Sequence, residues 1–115
     1  MVDAVLGYGN HDAPTGEAER LIGFSVRAAR PVVSLDLPSG VDPDTGEAAG
    51  IAITATATLT LALPKPGLFR GAGPDRAGRV YLGDIGLPEA GYAALGISAG
   101  HPFSAGRIVL LVRTT

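Results

Sequence analysis

An apolar run that ends on an acid and passes straight into two tight turns, VVSLDLPSGVDPDTG from Val32 to Gly46, constrains this chain more than any other feature. Val32, Val33 and Leu35 form a short, largely β-branched run of the kind buried in a parallel sheet, and Asp36 and Ser39 follow where the chain leaves it. In open α/β sheets, ligands bind in the crevice outside the carboxyl ends of the strands. A carboxylate and a hydroxyl at such an exit therefore make a candidate site.

The flanking pattern extends this unit in both directions. Residues 2–6 read as a first strand, broken by Gly7-Tyr8-Gly9-Asn10. A helix then begins at Thr15 as N-cap with Glu17 and Glu19 in its first turn, carries Ala18, Leu21, Ile22, Ser25 and Ala29 on one face, and ends before Pro31. Residues 32–37 are the second strand, 55–63 a third rich in threonine, 79–85 a fourth, 88–95 a short helix and 108–113 a last strand. Strand, helix and strand joined by short links imply a parallel crossover, so the order is half of a doubly wound α/β domain. A buried strand at the very start normally needs neighbours, and the expectation is a domain truncated on its N-terminal side.

With 115 residues, no internal repeat and no linker, residues 1–115 suit a single partial domain. Charged residues are only 17% against 46% hydrophobic, which excludes disorder and suggests that apolar surface meets another chain or segment. The net charge of −2 and the scattered Lys and Arg speak against nucleic acid as a partner. No cysteine is present, which removes disulfides and thiolate metal sites, and no apolar run is long enough to span a bilayer. A cytoplasmic protein, not bound to membranes, is the expectation.

Three loops would converge on one rim if the strands are parallel: residues 7–13, 36–46 and 64–73. Gly7 and Gly9 would let backbone N–H groups approach a phosphate, or serve only as a turn. Asp36 could accept a proton, orient a hydroxyl or ligate a cation, or could cap its own loop. Lys65, stiffened between Pro64 and Pro66, could meet a phosphate or transfer a proton, or could be a solvated surface lysine. Ser39 sits in no nucleophile elbow, and Asp42-Pro43-Asp44-Thr45-Gly46 lacks the ligand register of a calcium loop and fits a turn better.

Taken together, VDAVLGYG, VVSLDLPSGVDPDTGEAAG, ATLTLALPKPGL and GRVYLGDIGLP stand in the order and spacing of the YjeF N-terminal domain family, and the chain resembles its C-terminal half. The resemblance implies a three-layer Rossmann-like domain with a mainly parallel sheet. It implies an NAD(P)H-hydrate epimerase, an isomerase that interconverts the R and S hydrates of NADH and NADPH so that a partner dehydratase can restore the cofactor. By position, Asp3 and Ser39 would coordinate a potassium ion. Gly7, Tyr8, Gly9, Asn10, His11, Asp12 and Ala13 would line the dinucleotide hydrate together with Asp36, the acid/base candidate, and Lys65. The family's Gly-Asn-Asn-Gly-Gly-Asp segment is absent from this sequence, and Thr56 stands where the family commonly carries an aspartate. The resemblance therefore implies an incomplete active site, with a complementing N-terminal half or a second copy in a homodimer as the expected partner; the alternative is a non-catalytic remnant that binds a nucleotide or a protein.

Overall fold

A computed structural model describes residues 1–97 and 100–112. Five strands form one sheet in sequence order: β1 (Val2–Asp3), β2 (Val33–Leu35), β3 (Ala57–Leu61), β4 (Arg79–Gly83) and β5 (Ile108–Leu111). The first four are parallel and β5 is antiparallel, so the α/β class and the mainly parallel sheet are as expected. Residue 113, expected in the last strand, lies outside the described residues.

The strands are shorter than the sequence pattern suggests, because side chains and turns take over the backbone donors. β1 stops at Asp3 because the N–H of Val5 donates to Asp3 Oδ1 (3.4 Å) and that of Leu6 to Ser39 Oγ (2.9 Å). β2 and β3 end the same way as each other. Asp36 (φ 71°) and Ala62 (φ 63°) are each the centre of a γ-turn, closed by Leu37 N–H to Leu35 C=O at 2.9 Å and by Leu63 N–H to Leu61 C=O at 2.7 Å. A γ-turn with positive φ is rare and strained for a residue with a side chain.

α1 (Gly16–Ala28) starts after Thr15, which adopts extended dihedrals without a side-chain cap, and closes on Ala29 in the left-handed region at φ 50°. Its buried face is narrower than the spacing predicts. Ile22 and Gly23 are buried and Ala18 and Ser25 half-buried, whereas Leu21 and Ala29 are exposed and Phe24 and Val26 point outward. Gly23 takes the position beside Ile22 at the contact, and the side chain of Ile51 packs next to it. Ile22 then packs with Val32, Ile53 and Ala55.

The loop expected at residues 64–73 and the residues after it hold a 3₁₀ turn at Pro66–Leu68 and α2 (Gly73–Ala77), with Pro74 pre-organising its first turn. Leu68 and Ala77 pack with Leu37 and Val80 in a second cluster. Thr58 Oγ1, fully buried on β3, donates to the Ala77 carbonyl at 2.8 Å and locks α2 to the sheet. A last helix, α3 (Glu89–Ala94), sends the hydroxyl of buried Tyr92 to the Ala62 carbonyl at 2.9 Å.

The pairing register puts Asp3, Ser34, Thr58 and Val80 on one face, which α1 and α2 cover. The opposite face carries Val2, Val33, Leu35 and Leu110, all exposed. α1, α2 and the sheet thus build two of the expected three layers from the described residues.

Candidate functional site

The parallel arrangement brings the exits of β1, β2 and β3 to one rim, and a cavity of about 330 Å³ opens there between Leu6, Gly7, Tyr8, Asp36, Leu61 and Lys65. The γ-turn at Asp36 aims its carboxylate across this rim instead of along the strand. Asp36 Oδ1 lies 2.7 Å from Lys65 Nζ and also accepts the Thr60 hydroxyl and the Leu61 N–H, both at 3.4 Å. Its Oδ2 accepts the N–H of Tyr8 at 3.2 Å. The aspartate therefore does not cap its own loop; it joins three strand exits.

Lys65 is not a solvated surface lysine. Its side chain is only 12% exposed, and Nζ also donates to the Leu61 carbonyl at 2.7 Å. Burial pushes the Asp36 carboxyl up, but the Lys65 ammonium and the N–H groups of Leu61 and Tyr8 outweigh it and hold the group below the usual carboxylate range. At neutral pH this carboxylate is ionised, an acceptor for a hydrogen bond from a hydroxyl or a water.

A second cluster sits behind the first and is joined to it by Leu6. Asp3, 3% exposed, accepts Ser39 Oγ at 2.6 Å on Oδ1, and the Ser39 N–H at 2.8 Å and Ser34 Oγ at 2.7 Å on Oδ2. The Ser39 hydroxyl oxygen is also 3.3 Å from the Leu6 carbonyl oxygen. Among the described residues no Lys, Arg or His pairs with Asp3. A buried carboxylate, a hydroxyl and a carbonyl thus converge without a cationic side chain, a donor set whose chemistry fits a hard monovalent cation. Ser39, tied to Asp3 and not to a histidine, has no base to make it a nucleophile.

The remaining loop residues lead away from the cavity. Gly9 takes φ 101°, Asn10 is half-buried, and His11, Asp12 and Ala13 are exposed. His11 Nδ1 meets Asp42 Oδ2 at 2.9 Å. Asp42 opens the expected turn, its Oδ1 accepting the N–H groups of Asp44 (2.8 Å) and Thr45 (2.9 Å). Those N–H groups, with His11, bring its carboxyl down to about 2. The turn closes at Gly46 (φ 78°), where a Cβ would overlap the Arg70 carbonyl oxygen.

Sequence reasoning missed Ser34, Thr60 and Tyr92. Thr58 and Thr60 alternate with apolar residues in ATLTL, and that alternation is the one signal that threonines face inward here. Nothing local marks Tyr92 as the residue that reaches Ala62.

Comparison with known proteins bears on this geometry. The family described as YjeF-related protein N-terminus matches residues 1–67. An NAD(P)H-hydrate epimerase of Dehalogenimonas lykanthroporepellens is 40% identical over 112 residues, which are 96% of this chain and 44% of that protein. A bifunctional NAD(P)H-hydrate repair enzyme Nnr of Moorella thermoacetica is 43% identical over 89 residues, 77% of this chain and 17% of that one. The crystal structure of yeast ynu0, YNL200c, superposes with a TM-score of 0.72 over 96% of this chain and 45% of that chain; at 23% identity the likeness is one of fold. The chain spans less than half the length of these relatives.

Proposed function

Since the chain belongs to the YjeF-related N-terminal family, we propose that it carries the C-terminal half of an NAD(P)H-hydrate epimerase site and takes part in repair of hydrated NADH and NADPH. The observation that carries this reading is the Asp36–Lys65 pair at 2.7 Å, set at the strand exits against the Gly7–Tyr8 backbone.

Interconverting the two epimers requires the carbon–oxygen bond at the hydrated ring carbon to break and re-form on the other face. One proton goes to the departing hydroxyl and one is taken from the incoming water, so none is consumed. The proton for the departing hydroxyl comes from solvent; Asp36, held ionised, takes the proton from the incoming water and passes it back to solvent, while Lys65 keeps the carboxylate oriented and contacts the substrate. Gly7 and Tyr8 border the dinucleotide hydrate at the cavity, Tyr8, largely exposed, standing beside Lys65, and residues 9–13 would meet only the part of the dinucleotide that extends beyond it. Asp3, Ser39 and the Leu6 carbonyl would hold a potassium ion, which supplies fixed positive charge behind the β1 exit.

The exposed sheet face supports a partner. Val33 and Leu35 on β2 and Leu110 on β5 are half-exposed apolar side chains on the same sheet face, a surface that fits the apolar side of a complementing half-domain or a second copy. The name of the Moorella relative joins two repair activities in one protein, which supports a dehydratase as functional partner.

The test is to incubate the chain, together with a complementing N-terminal half, with the R hydrate of NADPH in potassium buffer and follow the S form by chromatography. Appearance of the S form, lost in Asp36→Ala with an unchanged circular dichroism spectrum, is the expected result. Unchanged conversion in Asp36→Ala refutes the assignment of Asp36. The uncovered face also favours a second reading, a non-catalytic remnant, for which calorimetry would show tight nucleotide binding without conversion.

A further inference from the structure

The loop between β1 and α1 is fastened firmly at its start and lightly beyond it. Leu6 and Tyr8 donate their N–H groups to Ser39 and Asp36. From Gly9 to Ala13, among the described residues, no backbone group takes part in a hydrogen bond. Among the described residues one side-chain hydrogen bond ties this stretch to the rest of the chain, that of His11 Nδ1 with Asp42 Oδ2 at 2.9 Å, besides the packing of Ala13 against Gly50.

The anchor at the far end is fixed. Besides the two N–H groups on its Oδ1, Asp42 donates its own N–H to the Glu47 carbonyl (2.9 Å) and accepts Gly46 N–H on its carbonyl (2.9 Å). Val41 and Ala48 form an isolated bridge beneath it, and buried Pro43 accepts the N–H of Gly67 at 2.6 Å. The turn that holds His11 is thereby built onto the segment that follows Lys65.

We propose that the His11–Asp42 pair is a proton-dependent strap that fixes residues 9–13 beside the cleft. The charged groups facing the imidazole are Asp42 and, at 3.9 Å, Asp44 from the turn after β2, and Asp12 from its own loop. Protonated, the ring makes a charge-assisted bond in a field of three carboxylates. Neutral, it can donate only as the Nδ1–H tautomer, and the bond to the ionised Asp42 loses the attraction between opposite charges. The hydrogen bond to Asp42 raises the imidazole above its ordinary value of 6.5. The strap is therefore fully closed below 6.5 and loosens as pH rises through the raised value. Its effect on a ligand rests on the reading that this loop lines the dinucleotide cleft; the strap itself does not.

The experiment measures ¹⁵N relaxation across the intact 115-residue chain, with the His11 ring titration followed in the same samples. Order parameters of residues 9–13 are expected to fall from about 0.85 toward 0.6 as the pH is raised, with the midpoint of the His11 titration. His11→Gln and Asp42→Asn keep a polar side chain at each end and should abolish the pH dependence, leaving β3 and β4 amides unmoved. Loop order that ignores the His11 midpoint, or persists with its pH dependence in both variants, overturns the strap. Calorimetric titration with NADPH separates the two claims. Affinity should weaken roughly fivefold from the closed to the open strap, as the binding-competent fraction falls. NADPH binding with one affinity at both extremes while loop order changes overturns the strap's role in positioning a ligand. Absence of NADPH heat at every pH, with the relaxation behaviour intact, overturns the ligand reading and upholds the strap.

Discussion

Replacing Lys65 by methionine keeps most of the aliphatic stem in place and removes the ammonium from its 2.7 Å contact with Asp36. The pair is 12% and 17% exposed, neither in bulk water nor in a dry core. Breaking a fully buried pair costs ~3–5 kcal/mol, and a hydrogen bond to a charged group contributes ~1.5–3, so a rim pair of this burial should cost about 2 kcal/mol at neutral pH. In a domain of this size that is a fall of roughly 8 °C in Tm. The pH profile distinguishes this cause from simple loss of packing. In the wild type the Asp36 carboxyl lies below its ordinary 3.8, so its contribution is fully present above 3.8 and is lost as pH falls through the lower folded-state value. In Lys65→Met burial has no ammonium to oppose it, and the ionised carboxylate becomes a liability that protonation relieves. The two melting curves, recorded by circular dichroism from acid to neutral pH, should lie far apart at neutrality and converge in acid. A separation that stays constant with pH would refute the electrostatic account and leave only packing.

Asp36 holds φ 71°, so Asp36→Gly should be about 1 kcal/mol more stable than Asp36→Ala, although both lose the lysine pair; urea denaturation giving the reverse order would contradict the γ-turn. Asp3→Ala strands the buried donors of Ser34 and Ser39 and should cost ~2–4 kcal/mol, against ~1 for Ser34→Ala, which removes one partner of a carboxylate that keeps others. Equal losses in chemical denaturation would argue against Asp3 as the hub. Gly73→Ala would press its methyl into the Gly67 carbonyl oxygen and should cost more than ~3 kcal/mol, whereas Gly86→Ala, with open space around it but φ 82°, should cost only ~1; soluble yield and Tm of the two decide this.

Much of the fold and of the rim is legible in the chain. Val32 to Leu35 and the acid after them announce a parallel strand and its exit, although Val33 and Leu35, expected to be buried, lie on the exposed face, and the Gly7-Tyr8-Gly9 break places a second exit beside it. Asp36, Lys65, Gly7 and Tyr8 do meet. The illegible parts have particular physical reasons. Sequence over-runs the strand ends because apolar patterning continues through Leu37 and Leu63, while the γ-turns that stop the ladders sit on an aspartate and an alanine, residues that carry no turn signal at those places. α2 reads as loop because its five residues begin among glycines and are held by a threonine on a distant strand. On α1, spacing alone cannot tell that a glycine replaces Leu21 at the contact. The His11–Asp42 contact joins positions 31 residues apart, and only the parallel pairing of β1 with β2 brings them together.

The family match ends at residue 67, yet β3 depends on residues well beyond that point. β4 pairs with it along its whole length, from Ala57 opposite Arg79 to Leu61 opposite Gly83. Proteolysis between the 3₁₀ turn and α2, if the trailing piece were lost, would leave Ala57–Leu61 as a bare sheet edge with unpaired backbone groups, no charge and no proline. Such a strand is a template for adding further copies of itself. The segment after residue 67 therefore acts as a guard against self-association, and a clipped preparation should be expected to precipitate before it loses its candidate acid and lysine.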